Sequence, residues 1–129
     1  MNHCPCGSTS NYSTCCGRYI DGAQPAGTPE LLMRSRYSAY TLAKINYIKR
    51  TMSGNALIDF NPGEVKRWAR QVKWLGLRVV QAYNVSENKG FVEFVAHFQD
   101  GECLQSIHEV SEFHRVEGIW FYVDGTHKK

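Results

Sequence analysis

The chain reads as an α+β domain in which helices come first and an antiparallel sheet follows, with a cysteine-rich element ahead of both. Three observations predict this. Apolar residues recur at helical spacing between Thr28 and Trp74. From Leu75 the period drops to two, and turn residues interrupt the alternation at Glu87–Gly90, Asp100–Gly101 and Glu117–Gly118. Four of the five cysteines lie within residues 4–16, ahead of the first helical signal.

Thr28-Pro29-Glu30 announces the first helix. Threonine suits the cap, proline the first helical position, and glutamate the positive end of the dipole. Leu32, Met33, Arg36, Tyr37 and Tyr40 follow at helical spacing, and the helix closes near Ala43. Ile45, Tyr47 and Ile48 predict a short second helix to about Thr51, broken by Ser53-Gly54-Asn55. Asn61-Pro62-Gly63 reads as a turn. A third helix is expected from Glu64 to Trp74, with Val65, Trp68, Ala69 and Val72 inward and Lys66, Arg67, Arg70 and Lys73 outward.

Leu77, Val79, Gln81, Tyr83 and Val85 alternate as one strand, and Glu87-Asn88-Lys89-Gly90 turns it into a second, Phe91–Phe98. That strand is apolar on both faces apart from Glu93 and His97. Residues 103–115 make a long third strand, and Ile119–Val123 a fourth. A helical layer on one face of a curved four-stranded antiparallel sheet is the architecture this order implies.

At 129 residues and 14.7 kDa the chain is one domain with an appendage. A hydrophobic share of 43% supplies a real core and excludes wholesale disorder. No apolar run approaches the roughly 18 residues of a membrane span. The net charge of +3 does not argue for nucleic acid, but its layout is uneven. Segments 30–53 and 64–78 each carry five basic residues against one acid, whereas 86–117 carries two against seven. Opposite solvated faces on the two layers explain this division. Residues 18–27 mix Gly, Pro and polar side chains and read as a linker. The cysteine element (1–20) is therefore expected to fold separately from the main domain (28–126).

The cysteine element runs Cys4-Pro5-Cys6-Gly7-Ser8, then Tyr12, then Cys15-Cys16-Gly17. One Zn2+ held by four thiolates accounts for such density, since the ion accepts tetrahedral sulfur and has no redox chemistry. Two disulfides are the alternative. Cys4 and Cys6 are too close to bridge easily, and adjacent Cys15 and Cys16 would close a strained ring. No secretory hydrophobic segment precedes them, so a reducing, cytoplasmic setting and a metal are favoured over disulfides. An extended Cys4-Pro5-Cys6 would point both thiols one way. Cys15 and Cys16 then come from a turn or helix end, where Gly17 is expected in a left-handed conformation. The Gly7 backbone, the Ser8 hydroxyl and Arg18 are candidate donors around the sulfurs, and His3 is an alternative ligand.

This run resembles the SEC-C motif, a small zinc-binding element first known at the C-terminus of the SecA translocation ATPase. The match covers every signature position without a gap, and it implies that Cys4, Cys6, Cys15 and Cys16 are the ligands of a structural zinc. Many SEC-C copies carry lysines where this chain has Thr9-Ser10-Asn11-Tyr12-Ser13. An uncharged element cannot grip phosphate by charge, so nucleic acid is disfavoured as a partner. LMRSRYSAY (32–40), WLGL (74–77), GFVEFVAHF (90–98), HEVSEF (108–113) and GIWFYVDGT (118–126) are similar to the YchJ-like family of bacterial proteins. That resemblance implies a cystatin-like cone of the nuclear-transport-factor-two type behind the SEC-C element. It brings no established activity. A second SEC-C copy, found at the C-terminus of some members, is not expected here.

A cone of this type has a pocket between its helices and the concave face of its sheet. The candidates for lining it are Arg34, Arg36, Tyr37, Tyr40, Glu93, His97, Glu109, Ser111 and Trp120. Glu109 and Ser111 alternate on one face of the third strand. A buried Glu109 is expected to pair with Arg34 or Arg36; a general base and a solvent-exposed carboxylate are the alternatives. His97, His108 and His114 lack a metal spacing, Trp68, Trp74 and Trp120 suit the core more than a ligand platform, and Cys103 has no basic neighbour to make it a nucleophile. No phosphate loop, nucleophile elbow or paired-carboxylate motif marks an enzyme. Three functions fit. The first is a zinc-stabilised module that docks a protein partner, and the second a small-molecule-binding or enzymatic cone. The third is a ribosome or nucleic-acid contact through the basic helices. The uncharged cysteine element favours the first over the third, and a roomy pocket lined by Glu109 and an arginine would favour the second.

Overall fold

In the computed structural model, which describes residues 3–128, a 3-10 turn (Tyr12–Thr14) and a single helical turn, α1 (Gly17–Ile20), precede the main helix, α2 (Pro29–Thr41). Then come α3 (Ile45–Arg50), α4 (Asn55–Ile58) and α5 (Pro62–Gln71). The strands are β1 (Lys73–Ser86), β2 (Lys89–Asp100), β3 (Cys103–Val116) and β4 (Ile119–His127). They form one antiparallel meander in sequence order, with the helices against one face.

The α2 start is as expected: the Thr28 hydroxyl accepts from the Leu31 N–H, and Pro29 opens the helix. The same logic operates at Asn61, which is a cap and not part of a turn. Its Oδ1 accepts from the Glu64 N–H at 3.1 Å, so α5 begins two residues earlier than predicted. It also ends earlier. Trp74 belongs to β1, where its indole N–H donates back to the Ala69 carbonyl at 3.1 Å. The one-turn α4 was missed, because Ser53-Gly54-Asn55 looks like a plain breaker. Gly54, with φ +60°, reverses the chain there. Backbone bonds from Ser53 N–H to the Tyr122 carbonyl and from Tyr122 N–H to the Thr51 carbonyl then tie this corner to β4.

The hairpin turns fall where predicted. Glu117 and Gly118 both have positive φ, as a two-residue turn of matched twist requires. The predicted alternation of β1 does not hold along its length. Leu77 and Val79 pair with Ala96 and Phe94 on the helix-facing side, but Gln81 and Tyr83 pair with Glu93 and Phe91 on the outer side. A bulge at Val80 adds one residue and switches the face. Further shifts at Trp74/Gly76, Asn84/Ser86 and Glu112/Phe113 curve the sheet around the helices.

The cysteine element packs into the core of the main domain, where few contacts between the two were expected. Cys4, Cys6, Cys16, Tyr19 and Ile20 belong to the same buried cluster as Leu32, Met33 and Tyr37 of α2, Ile48 of α3 and Phe94 and Phe113 of the sheet. Arg50 donates to the carbonyls of Tyr19 and Ile20, and Arg34 to that of Cys6. The expected 18–27 linker is not a free connection: Arg18–Ile20 complete α1, and Tyr19, Ile20 and Ala26 are buried in the shared core.

Candidate functional site

The first half of the site is the thiol cluster. Cys4 N–H donates to the Ser10 carbonyl, and a turn at Gly7 (φ +91°) follows Cys6. The 3-10 turn then delivers Cys15, and Cys16 begins α1. Gly17 is helical, not left-handed. Its need for glycine is space: a Cβ there would lie 2.8 Å from the Tyr12 carbonyl oxygen. All four Sγ atoms lie within 4.8 Å of one another. Cys6 and Cys15 are 3.7 Å apart, close to the ~3.8 Å edge of a tetrahedron with 2.3 Å metal–sulfur bonds. That separation is far from the ~2.05 Å of a disulfide, and all five cysteines are free thiols. Cys4, Cys6 and Cys16 are buried, with Cys15 half-buried. His3 is exposed, bridges Asn11 through its backbone and stands outside the cluster.

The donor set fits a metal ion. A thiol hydrogen bond from Cys16 holds the Cys6 thiol down at about 4, while the same interaction pushes Cys16 far above the ordinary thiol range. The cluster thus accepts a first negative charge readily and resists the rest, which a shared cation would offset. Ser8 Oγ lies 3.2 Å from Cys15 Sγ, as the sequence suggests. Arg18 serves differently: its Nε donates to the Cys15 carbonyl at 3.0 Å. Two supports come from α2. Ser38 Oγ reaches Cys4 Sγ at 3.5 Å, and Arg34 Nη1 donates to the Cys6 carbonyl at 3.0 Å while its Nε binds Glu30. Ser38 carries no motif. Its only sequence signal is that it lies one turn beyond Arg34 on the same helix face.

The second half is a cavity of about 140 Å³ between α2, α5 and the sheet. Met33, Arg36, Tyr37 and Tyr40 line it from one face of α2, and Trp68 and Trp74 close the α5 side. The sheet supplies Phe94 and Ala96, then Ile107, Glu109, Ser111 and Phe113, and finally Tyr122. The aromatic wall is tightly built: Trp68 and Trp74 meet edge to face at 5.1 Å, with Tyr40 at 6.2 Å from Trp68 and 6.0 Å from Trp74.

Glu109 is buried and points into this space, but no arginine pairs with it. Its Oε2 accepts from the Ser111 and Tyr122 hydroxyls, the latter at 3.1 Å, and its Oε1 meets only the exposed His127 Nε2 at 3.4 Å. Arg36 is committed elsewhere. Its Nη1 donates to the Ile48 carbonyl at 2.8 Å and to Thr51 Oγ1 at 2.7 Å, capping the carbonyl end of α3. Its guanidinium stacks 4.5 Å from the Tyr122 ring centre. Burial and the nearby Glu109 carboxylate push the Tyr122 phenol up, so it remains a protonated donor. Gly125 makes room for this arrangement. A Cβ there would sit 2.5 Å from both Glu109 Oε2 and Tyr122 Oη.

Of the predicted lining residues, Arg36, Tyr37, Tyr40, Glu109 and Ser111 meet at the cavity and four do not. Arg34 faces the thiol cluster. Glu93 and His97 project from the outer face of β2, where Glu93 accepts from Gln81 at 2.9 Å and contacts His108 Nε2 at 2.7 Å. These two partners hold the Glu93 carboxyl below the usual range. A strand apolar on both faces offers no pattern to tell its sides apart, which is why these two were misplaced. Trp120 is buried in the core beneath the 23–26 segment, with Arg115 over its ring. Tyr122 was missed, since only the fold back to Thr51 and the β4 bulge aim it at Glu109.

A family model described as the YchJ middle NTF2-like domain matches residues 28–125. The chain belongs to the YchJ family. A UPF0225 protein of Serratia proteamaculans is 40% identical over 126 residues, covering 95% of this chain and 82% of that protein. One from Geobacter sulfurreducens is 37% identical, covering 96% and 78% respectively. The solution structure of a SEC-C motif containing protein from Rhodopseudomonas palustris superposes with a TM-score of 0.89 at 36% identity, with both chains fully covered. The crystal structure of one from Psychrobacter arcticus gives 0.82 at 33%, covering 98% of this chain and 82% of that one. The YchJ-family chain is thus an NTF2-like protein whose described residues form five helices and a four-stranded antiparallel sheet, with a SEC-C cysteine cluster that can hold a metal ion. Among the described residues no helix is long and apolar enough to cross a membrane.

Proposed function

We propose that this YchJ-family chain is a small-molecule-binding cone whose fold is braced by a structural zinc ion at Cys4, Cys6, Cys15 and Cys16. The observation that carries the reading is the cavity: a buried carboxylate, two hydroxyls and an aromatic wall converge on space that the protein's own side chains leave open. Zinc suits the four-thiolate set, and a closed site with no open position is structural in character. A reducing, cytoplasmic setting accompanies the reading, because four thiols this close would otherwise oxidise. Docking of a protein partner through the cysteine element has less support, since that element's inner face is already covered by α2 and held by Arg34, Ser38 and Arg50.

The test is native mass spectrometry of protein purified without added metal, paired with a thermal-shift screen of small metabolites. One zinc per chain, and stabilising compounds whose effect Ala96→Leu removes by filling the cavity, are the expected results. A metal-free protein with four unreactive thiols would refute the zinc. Stabilisers indifferent to Ala96→Leu would refute the cavity as the site.

A further inference from the structure

We infer that the cavity takes a neutral, single-ring ligand carrying one O–H or N–H donor, and that the donor is received by Glu109. This rests on the reading of the cavity as a ligand site and names the chemistry it selects.

Size comes first. A space of about 140 Å³ matches the roughly 150 Å³ apolar cavity that accepts benzene in an engineered protein, so one ring fits and two fused rings do not. Shape agrees, because Trp68, Trp74 and Tyr40 line the space and already meet one another edge to face or tilted, an arrangement that an aromatic guest can extend.

Charge comes second. Among the described residues Arg36 and Glu109 are the charged ones on the lining; Arg36 lies over the Tyr122 ring and Glu109 accepts from its hydroxyl. The lining is therefore neutral overall. An anionic guest would lose its hydration without finding an unspent cation, since the Arg36 Nη1 is already bound to Ile48 and Thr51, and a cationic guest at Glu109 would leave the buried Arg36 charge unbalanced in the lining.

Hydrogen-bond capacity comes third. Glu109 Oε2 already accepts two hydroxyls, whereas Oε1 has only the long contact to His127. A carboxylate accepts at up to about four lone-pair positions, so an acceptor remains unspent. A donor-bearing ring satisfies it; a bare hydrocarbon does not.

Phenol and toluene separate these ideas without any mutation, because they differ only in hydroxyl against methyl. In an all-apolar cavity toluene would bind better, since phenol must give up its water partners. Here phenol is expected to bind about tenfold tighter than toluene by calorimetry, with shifts in the indole N–H resonances of Trp68 and Trp74. Glu109→Gln should erase most of that preference by weakening phenol alone, and Ala96→Leu should abolish both. Toluene binding as well as phenol would overturn the inference, as would a preference that survives Glu109→Gln. Benzoate and benzylammonium form the charged arm: if either outbinds phenol and is displaced by Ala96→Leu, the ligand class is wrong and the cavity reading stands. If no probe perturbs the wild-type cavity at millimolar concentration, both fall.

Discussion

The thiol cluster and the cone cavity occupy two faces of the same helix and are assembled in opposite ways. The cluster draws its four sulfurs from thirteen consecutive residues, Cys4 to Cys16, and takes only its outer supports, Arg34 and Ser38, from α2. The cavity takes Arg36, Tyr37 and Tyr40 from α2, and every other lining residue but Met33 from α5 or from a different strand. A site built from neighbours in sequence is announced by spacing. One built from distant strands depends on register, and register here turns on single-residue bulges. The difference also bears on stability: four thiolates together would need a cation to offset their charge, whereas in the cavity Glu109 Oε2 already accepts two of the protein's own hydroxyls.

The two regions nonetheless share a core, and the largest expected effect tests that. Stripping the metal with a strong chelator, or replacing Cys16 with serine, should destabilise the whole chain by on the order of 5 kcal/mol or more. Thermal unfolding followed by calorimetry should show one transition. Residues 28–125 melting unchanged beside a lost N-terminal element would break the link between the regions.

Tyr122→Phe should come next. It removes a buried hydroxyl that donates to Glu109, at about 1–3 kcal/mol, with no effect on metal content. Urea denaturation, with zinc measured in parallel, would show whether cavity and cluster respond separately.

Glu109→Gln sharpens the same comparison. With serine and tyrosine as partners the change should be about 1–2 kcal/mol. A loss of about 3–5 kcal/mol would mean that an arginine had been left buried and unpaired, contrary to the geometry at Arg36.

Ser38→Ala should have the smallest effect on folding, under about 1 kcal/mol, because its bond to Cys4 is long. Its signature should lie in the metal, with affinity about tenfold lower in a competition with a chromogenic chelator. Unaltered metal affinity would reduce Ser38 to a packing residue.

Much of this architecture was legible without coordinates. Thr28-Pro29-Glu30 started α2, the two-residue turns set the hairpins, and Cys4, Cys6, Cys15 and Cys16 marked the cluster, because each acts over a few residues of chain. Asn61-Pro62 was legible too, but its resemblance to a turn hid a helix cap. The tertiary structure alone decided the rest. It seated the cysteine element on α2, since Cys4, Cys6, Cys16, Tyr19 and Ile20 leave water together with Leu32, Met33 and Tyr37. It turned Gln81 outward through the Val80 bulge, set Glu93 on the outer face of β2, and gave Glu109 hydroxyl partners where sequence suggested a cation. Composition can say that a buried carboxylate needs a partner. Only packing decides whether a guanidinium or a phenol is the group within reach.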